Sequence, residues 1–170
     1  MLGMFKRLFV AIHRRLDPIG YARSIGVSVG EHCRLIEVSF STEAYLIKIG
    51  NHVSATATHF ETHDGGVWVL RDRFPEIDIV NSITVGNNVY FGFGCVVLPG
   101  VTIGDNVVIG AGAIVSRDIP SNSVAVGVPA RVIRTIDAYA EKALAVGEST
   151  KHLSFDEKRS FYLAKFAQHQ

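Results

Sequence analysis

The feature that most constrains this chain is a repeat six residues long. From Val85 the sequence divides into VGNNVY, FGFGCV, VLPGVT, IGDNVV, IGAGAI and VSRDIP. An apolar residue opens each six and glycine often follows it. A small or β-branched residue usually stands fifth, as in Val89, Cys95, Val101, Val107 and Ala113. The phrase occurs earlier as IGNHVS from Ile49 and, less regularly, as VGEHCR from Val29. An α-helix turns every ~3.6 residues, so this period drifts around its circumference and makes no stable face. A long antiparallel strand would alternate by two, and glycine this frequent would weaken it. Short strands joined by tight corners fit. The opening aliphatic points inward, while glycine and Asn/Asp, as in Gly104-Asp105-Asn106, tolerate the corner conformations. Three sixes close one triangular coil, and coils stack as parallel strands ~4.8 Å apart. Each coil buries its aliphatic side chains on the next. The expectation is an all-β solenoid, a parallel β-helix from about residue 25 to residue 131, with Ile103, Val107, Ile109 and Ala113 inward.

The flanks read differently. Over residues 1–16, Met1, Phe5, Leu8, Phe9, Ile12 and Leu16 recur at helical spacing, with Lys6, Arg7, His13, Arg14 and Arg15 largely elsewhere. This predicts an amphipathic N-terminal helix ended by Asp17-Pro18. The helix packs on protein, or, as the alternative, its basic face lies on an anionic membrane surface. Residues 61–82 break the repeat with Gly-Gly, a proline, a tryptophan and many charges, and predict a loop projecting from a coil, a kind that is often functional. Beyond the solenoid, short helices are expected within 136–168: one over Ile136–Val146, and a second from Ser154, whose Glu157 three places on completes a capping box. The whole reads as one domain, its helices covering the end of the stack.

Bulk properties exclude several classes. The chain has 170 residues, 48% hydrophobic and 19% charged, enough to bury a core and unlike a disordered chain. A net charge of +1 gives no basic field for nucleic acid. No stretch approaches the ~18 unbroken apolar residues of a membrane span, and Lys6, Arg7, Arg14 and Arg15 interrupt the N-terminus where a secretory signal would be apolar. Cys33 and Cys95 lie far apart and show neither metal spacing nor a disulfide framework. A reduced, cytoplasmic setting fits them.

Val85–Arg134, through VGNNVYFGFGCVVLPGVTIGDNVVIGAGAIVSRDIP and SNSVAVGVPARVIR, resembles the C-terminal signature of hexapeptide-repeat acyltransferases. Upstream, FETHDGGVWVLR resembles a loop of O-acetyltransferases of bacterial surface polysaccharides, and the histidine-bearing loop of maltose, galactoside and xenobiotic acetyltransferases. The resemblance covers roughly residues 25–135. It implies a left-handed β-helix, a homotrimer with the catalytic histidine in a cleft beside a neighbouring subunit, acetyl-CoA along the coils as acyl donor, and no metal. It also implies acetyl transfer to a sugar hydroxyl, in a surface polysaccharide or its precursor. The alternatives are N-acetylation of an amino sugar or xenobiotic, a zinc carbonic anhydrase on the same solenoid, and a non-catalytic scaffold.

Such a transfer needs a base, donors for an oxyanion and a slot for the cofactor. His63, in Thr62-His63-Asp64, matches the family's catalytic histidine, and imidazole titrates near neutrality. His52 and His59 are weaker candidates; His59 stands four residues before His63, but the segment is not helical and the spacing is not that of a zinc site. Glu61, Asp64 or Asp78 is expected to orient the imidazole, with the choice left open. By resemblance, Ala111 and Gly112 flank the pantetheine arm, and Ser116, Arg117 and Arg134 stand near the nucleotide end. Phe93 occupies a position beside the arm where the family prefers a small residue. Tyr90 stands where tryptophan is common, and no asparagine occurs near Arg34–Ile36. Asp64, Trp68 and Arg71 are assigned to the acceptor, since an aromatic plane stacks on sugar and arginine can hold an acidic one.

Overall fold

The computed structural model describes residue 10 and residues 12–167. Most of the predicted N-terminal helix lies outside these residues; residues 12–16 are helical. The chain stops being helical at Asp17 and starts again at once, as α1 (Pro18–Ser24), which the sequence analysis did not anticipate. Asp-Pro ends one helix and opens another: the Asp17 carboxylate accepts from Gly20 N–H at 2.8 Å, and Pro18 occupies the first turn, where no N–H is needed.

Among the described residues fourteen short strands follow. β1 (Ser28–Val29), β4 (Ile47–Ile49), β7 (Ile83–Val85) and β10 (Thr102–Ile103) form one parallel sheet, the first face. β2 (Arg34–Ile36), β5 (Ser54–Thr56), β8 (Val89–Phe91), β11 (Val107–Ile109) and β13 (Ser123–Val126) form the second face. β3 (Ser39–Phe40), β6 (His59–Phe60), β9 (Val96–Val97) and β12 (Ile114–Val115) form the third. This is the predicted β-solenoid. One departure lies at its end: β14 (Arg131–Thr135) turns back and pairs antiparallel with β13, which covers the last edge of the second face.

The repeat maps directly onto burial. Every opening residue from Val85 to Val115, and every fifth residue from Val89 to Ile119, is buried; Ile103, Val107, Ile109 and Ala113 all point into the core. Phe40, Phe60 and Phe91 continue the column, with ring centroids 5.7 and 5.6 Å apart. The fourth residue takes positive φ in five of the six sixes: Asn88, Gly94, Gly100, Asn106 and Gly112. The second-position glycines answer a different need. A Cβ on Gly92 would lie 2.4 Å from Ala111 N, so only hydrogen allows the coils to close.

At the corner between the first and second faces the left-handed residues are Asn88, Asn106 and Asn122, preceded in earlier coils by His32 and His52. Their side chains form a ladder: Asn88 donates to Asn106 and Asn106 to Asn122, each at 2.9 Å, and His52 Nδ1 meets Asn88 Oδ1 at 2.8 Å. Asparagine tolerates this backbone because its short amide bonds locally.

Residues 61–82 project between β6 and β7, as expected. Their stems pair, with Asp64 N–H on Ile79 O and Asn81 N–H on Thr62 O. A 3-10 turn covers Gly65–Leu70.

Residues 140–170 form a second compact unit. α2 (Ile136–Val146) leads into it and α3 (Phe155–Ala167) completes it, at the predicted positions. The capping box is present: Ser154 N–H donates to Glu157 Oε2 at 2.8 Å, and Glu157 N–H to Ser154 Oγ at 3.4 Å. No helix of the described residues is long and apolar enough to cross a membrane.

The ladder makes a test. Asn106→Ala should be less stable than Asn106→Gly by about 1–2 kcal/mol, because both lose the amide but only alanine strains the left-handed backbone. Urea unfolding of the two variants measures the difference; equal midpoints would contradict the account.

Candidate active site

The corner between the third and first faces gathers the candidate catalytic residues. One coil contributes Ser41, Thr42 and Glu43, the next Glu61, Thr62 and His63, and later coils Leu98, Pro99 and Ser116. His63 is fixed by its backbone first, being bridged to Val80 across the loop stem. Thr62 behind it is fully buried; its N–H donates to Ser41 Oγ at 2.9 Å, and the two hydroxyls are themselves bonded.

The imidazole is held by Glu43, a residue the sequence analysis did not single out. His63 Nδ1 lies 2.9 Å from Glu43 Oε2. Thr62 Oγ1 donates to the same oxygen at 2.9 Å, and Thr42 Oγ1 to Oε1 at 2.6 Å. These donors, Thr42 first and then His63 and Thr62, hold the Glu43 carboxyl down to about 2. Of the three expected partners, Asp64 and Asp78 are engaged elsewhere. Asp64 accepts from Gly66 N–H at 2.8 Å and starts the 3-10 turn. Asp78 pairs with Arg71 at 2.8 Å and reaches His63 only through its charge. Glu61 comes within 3.2 Å of Nδ1 without a hydrogen bond. The Glu43 bond raises the His63 pKa; burial opposes it, and the charges of Glu61, Glu43 and Asp78 add to the rise.

A signal for Glu43 was present in the sequence. VGEHCR from Val29 and IGNHVS from Ile49 are twenty residues apart, the length of the first coil. The same step back from His63 lands on Glu43, one rung below.

With Nδ1–H donated to a carboxylate, Nε2 is the basic nitrogen. His63 borders two recesses. One, of about 290 Å³, is lined by Thr42, Glu43, Asp64, Trp68, Arg71 and Asp78. The other, of about 550 Å³, includes Glu61, Asn81, Leu98, Pro99 and Ser116. All three acceptor candidates, Asp64, Trp68 and Arg71, therefore share a recess with His63. Trp68 is 78% exposed, and Arg71 is engaged by Asp78 and by Pro75 O at 2.8 Å.

The six cofactor candidates fall in three places. Phe93, Ala111 and Gly112 sit together at the corner between the second and third faces, where Gly112 N–H donates to Phe93 O at 2.8 Å and a Cβ on Gly112 would meet open space. Ser116 and Arg117 lie at the His63 corner, exposed. Arg134 sits on β14, opposite Val124. Arg117 thus stands at a corner of the coils and Arg134 on the strand added to the second face.

Comparison with known proteins decides the family. Residues 82–117 match the model for the bacterial transferase hexapeptide (six repeats). Protein CapG of Staphylococcus aureus is 46% identical over 169 residues, spanning 97% of this chain and 98% of that protein. The chain belongs to the hexapeptide-repeat acetyltransferase family. A maltose O-acetyltransferase from Clostridium difficile superposes with a TM-score of 0.55 at 29% identity, covering 78% of this chain and 84% of its own. A galactoside acetyltransferase in complex with coenzyme A gives 0.56 at 30% identity, covering 81% and 82%. The protein is accordingly an acetyltransferase.

Glu43→Gln removes the negative charge on Nδ1. The His63 pKa should fall, since the imidazolium loses the partner that favours it. Imidazole NMR titration of wild type and variant reads this directly, and an unmoved His63 curve would refute the pairing.

Proposed function

We propose that this hexapeptide-repeat acetyltransferase moves an acetyl group from acetyl-CoA to a sugar hydroxyl, with His63 as general base. The observation that carries the reading is the His63–Glu43 pair set between two recesses, one for each reactant. With Nδ1–H on Glu43, Nε2 takes the acceptor's hydroxyl proton as the oxygen attacks the thioester carbonyl. The carbon–sulfur bond then breaks, and the thiolate recovers the proton from Nε2 as it leaves. Glu43 holds the ring and offsets its positive charge, as a buried carboxylate does in other histidine-base enzymes. A backbone N–H at a corner of the coils supplies the oxyanion donor.

Supporting a sugar acceptor are the maltose and galactoside enzymes named above and the resemblance of Phe60–Arg71 to loops of surface-polysaccharide O-acetyltransferases. Trp68 offers its exposed ring to the sugar, with Asp64 and Arg71 around it. The donor runs past Phe93, Ala111 and Gly112, and its phosphates meet Ser116, Arg117 and Arg134. In a homotrimer the separated halves of this slot meet across subunits, Arg117 from one chain and Arg134 from its neighbour. The two free cysteines, Cys33 half-buried and Cys95 buried, suit a cytoplasmic setting.

His63→Ala should lower turnover by roughly the 10²–10⁴ of a lost general base, with acetyl-CoA affinity nearly unchanged by calorimetry. Full turnover in that variant would end the assignment. Sedimentation equilibrium should find three chains per particle; a monomer with full activity would rule out the shared slot.

A further inference from the structure

His63 Nδ1 carries one proton and faces two carboxylates. Glu43 Oε2, at 2.9 Å, receives the hydrogen bond. Glu61 Oε1, at 3.2 Å, is buried and receives no side-chain hydrogen bond. A desolvated carboxylate oxygen left without a donor is costly, and native structures rarely keep one without a reason. Something must hold Glu61 there against that cost.

The holder is His59. Its Nε2 lies 3.0 Å from Glu61 Oε2, and its Nδ1 lies 2.8 Å from Ser39 Oγ, across the rung that pairs β3 with β6. An ionised carboxylate only accepts, so Nε2 must carry the proton that reaches Glu61. In neutral His59 the other nitrogen is then an acceptor, and Ser39 must donate to it. The chain Ser39–His59–Glu61 therefore has one direction, ending on the unoccupied oxygen beside His63.

We infer that Glu61, clamped by His59 and Ser39, is a second positioning residue for His63, placed to stabilise the imidazolium that forms when the base takes the acceptor's proton. The inference rests on His63 being the base. Glu43 holds the neutral ring. Glu61, with its free oxygen 3.2 Å from Nδ1, adds its charge when the ring becomes a cation, and a small rotation lets it share the Nδ1 proton. The other charged groups facing His63 are fewer or already engaged. Asp78 is paired with Arg71, and Asp64 is bonded to the 3-10 turn. The net direction at Glu61 agrees: burial pushes its pKa up, yet the His59 hydrogen bond, the attraction of either imidazole once protonated and a His63 backbone hydrogen bond outweigh this and lower it.

The test uses the assembled protein, acetyl-CoA and a sugar acceptor that supports turnover. In Glu61→Gln, kcat should fall roughly tenfold, a fraction of what the base itself contributes, with KM for acetyl-CoA within about twofold. The acid limb of the kcat–pH profile should move to lower pH, because a cation that has lost a negative neighbour gives up its proton more readily. His59→Ala should behave likewise, whereas His59→Gln, whose amide N–H can still reach Glu61, should recover most of the activity. NMR titration of His63 provides the readout that does not need turnover. An unmoved His63 titration in folded Glu61→Gln would overturn this inference and leave the base assignment standing. Full activity in His63→Ala would instead overturn the base assignment.

Discussion

Everything in the solenoid depends on coils stacking in strict register. The rungs are parallel, and each residue meets its counterpart one coil away: Val107 on Val89, Val108 on Tyr90, Ile109 on Phe91. Register matters because side chains alternate between core and solvent. A slip by one residue would turn Val107 and Ile109 outward and bury Val108. The asparagine ladder guards against such a slip, since Asn88, Asn106 and Asn122 bond to one another only when the corners are aligned. The glycine approach of Gly92 to Ala111 does the same sterically at another corner. Two independent devices thus enforce the alignment that the aliphatic column needs.

The same register builds the site. Short coils leave little room for a cavity, and the polar groups around His63 converge where an insertion lifts the chain off the stack. That happens after β6. Because coils are aligned, residues twenty apart become neighbours, and Glu43 arrives under His63 without any local sequence relation to it. Thr42 and Thr62 then saturate the Glu43 oxygens, and a buried Thr62 anchors the loop stem. The result is an imidazole whose orientation is set by stacking rather than by its own loop, the rigid support a base requires.

The cofactor candidates illustrate the limit of a single protomer. A solenoid presents three flat faces and three edges, and a slot beside His63 has one wall per chain. Phe93 and Gly112 stand at one edge, Ser116 and Arg117 at another, and Arg134 on the reversed strand β14.

Much of this was legible in the sequence. A six-residue period of aliphatic, glycine and asparagine admits few folds, and it located the inward side chains, the corners and the loop at 61–82, while a capping box located the helix after Ser154. Each depends on nearest neighbours and on backbone preference, which travel with the sequence. Asp17-Pro18 was read as a stop when it was also a start, because the same residues satisfy both ends. β14 escaped notice because its reversal follows from an open edge elsewhere in the fold. The sequence pointed to His63 but offered three carboxylates for its partner, all nearby in the chain, and the tertiary structure chose Glu43 and set Glu61 behind it. Sequence proximity governs turns and caps, whereas the partner of a side chain on a stacked coil is decided by which residue lies one rung away.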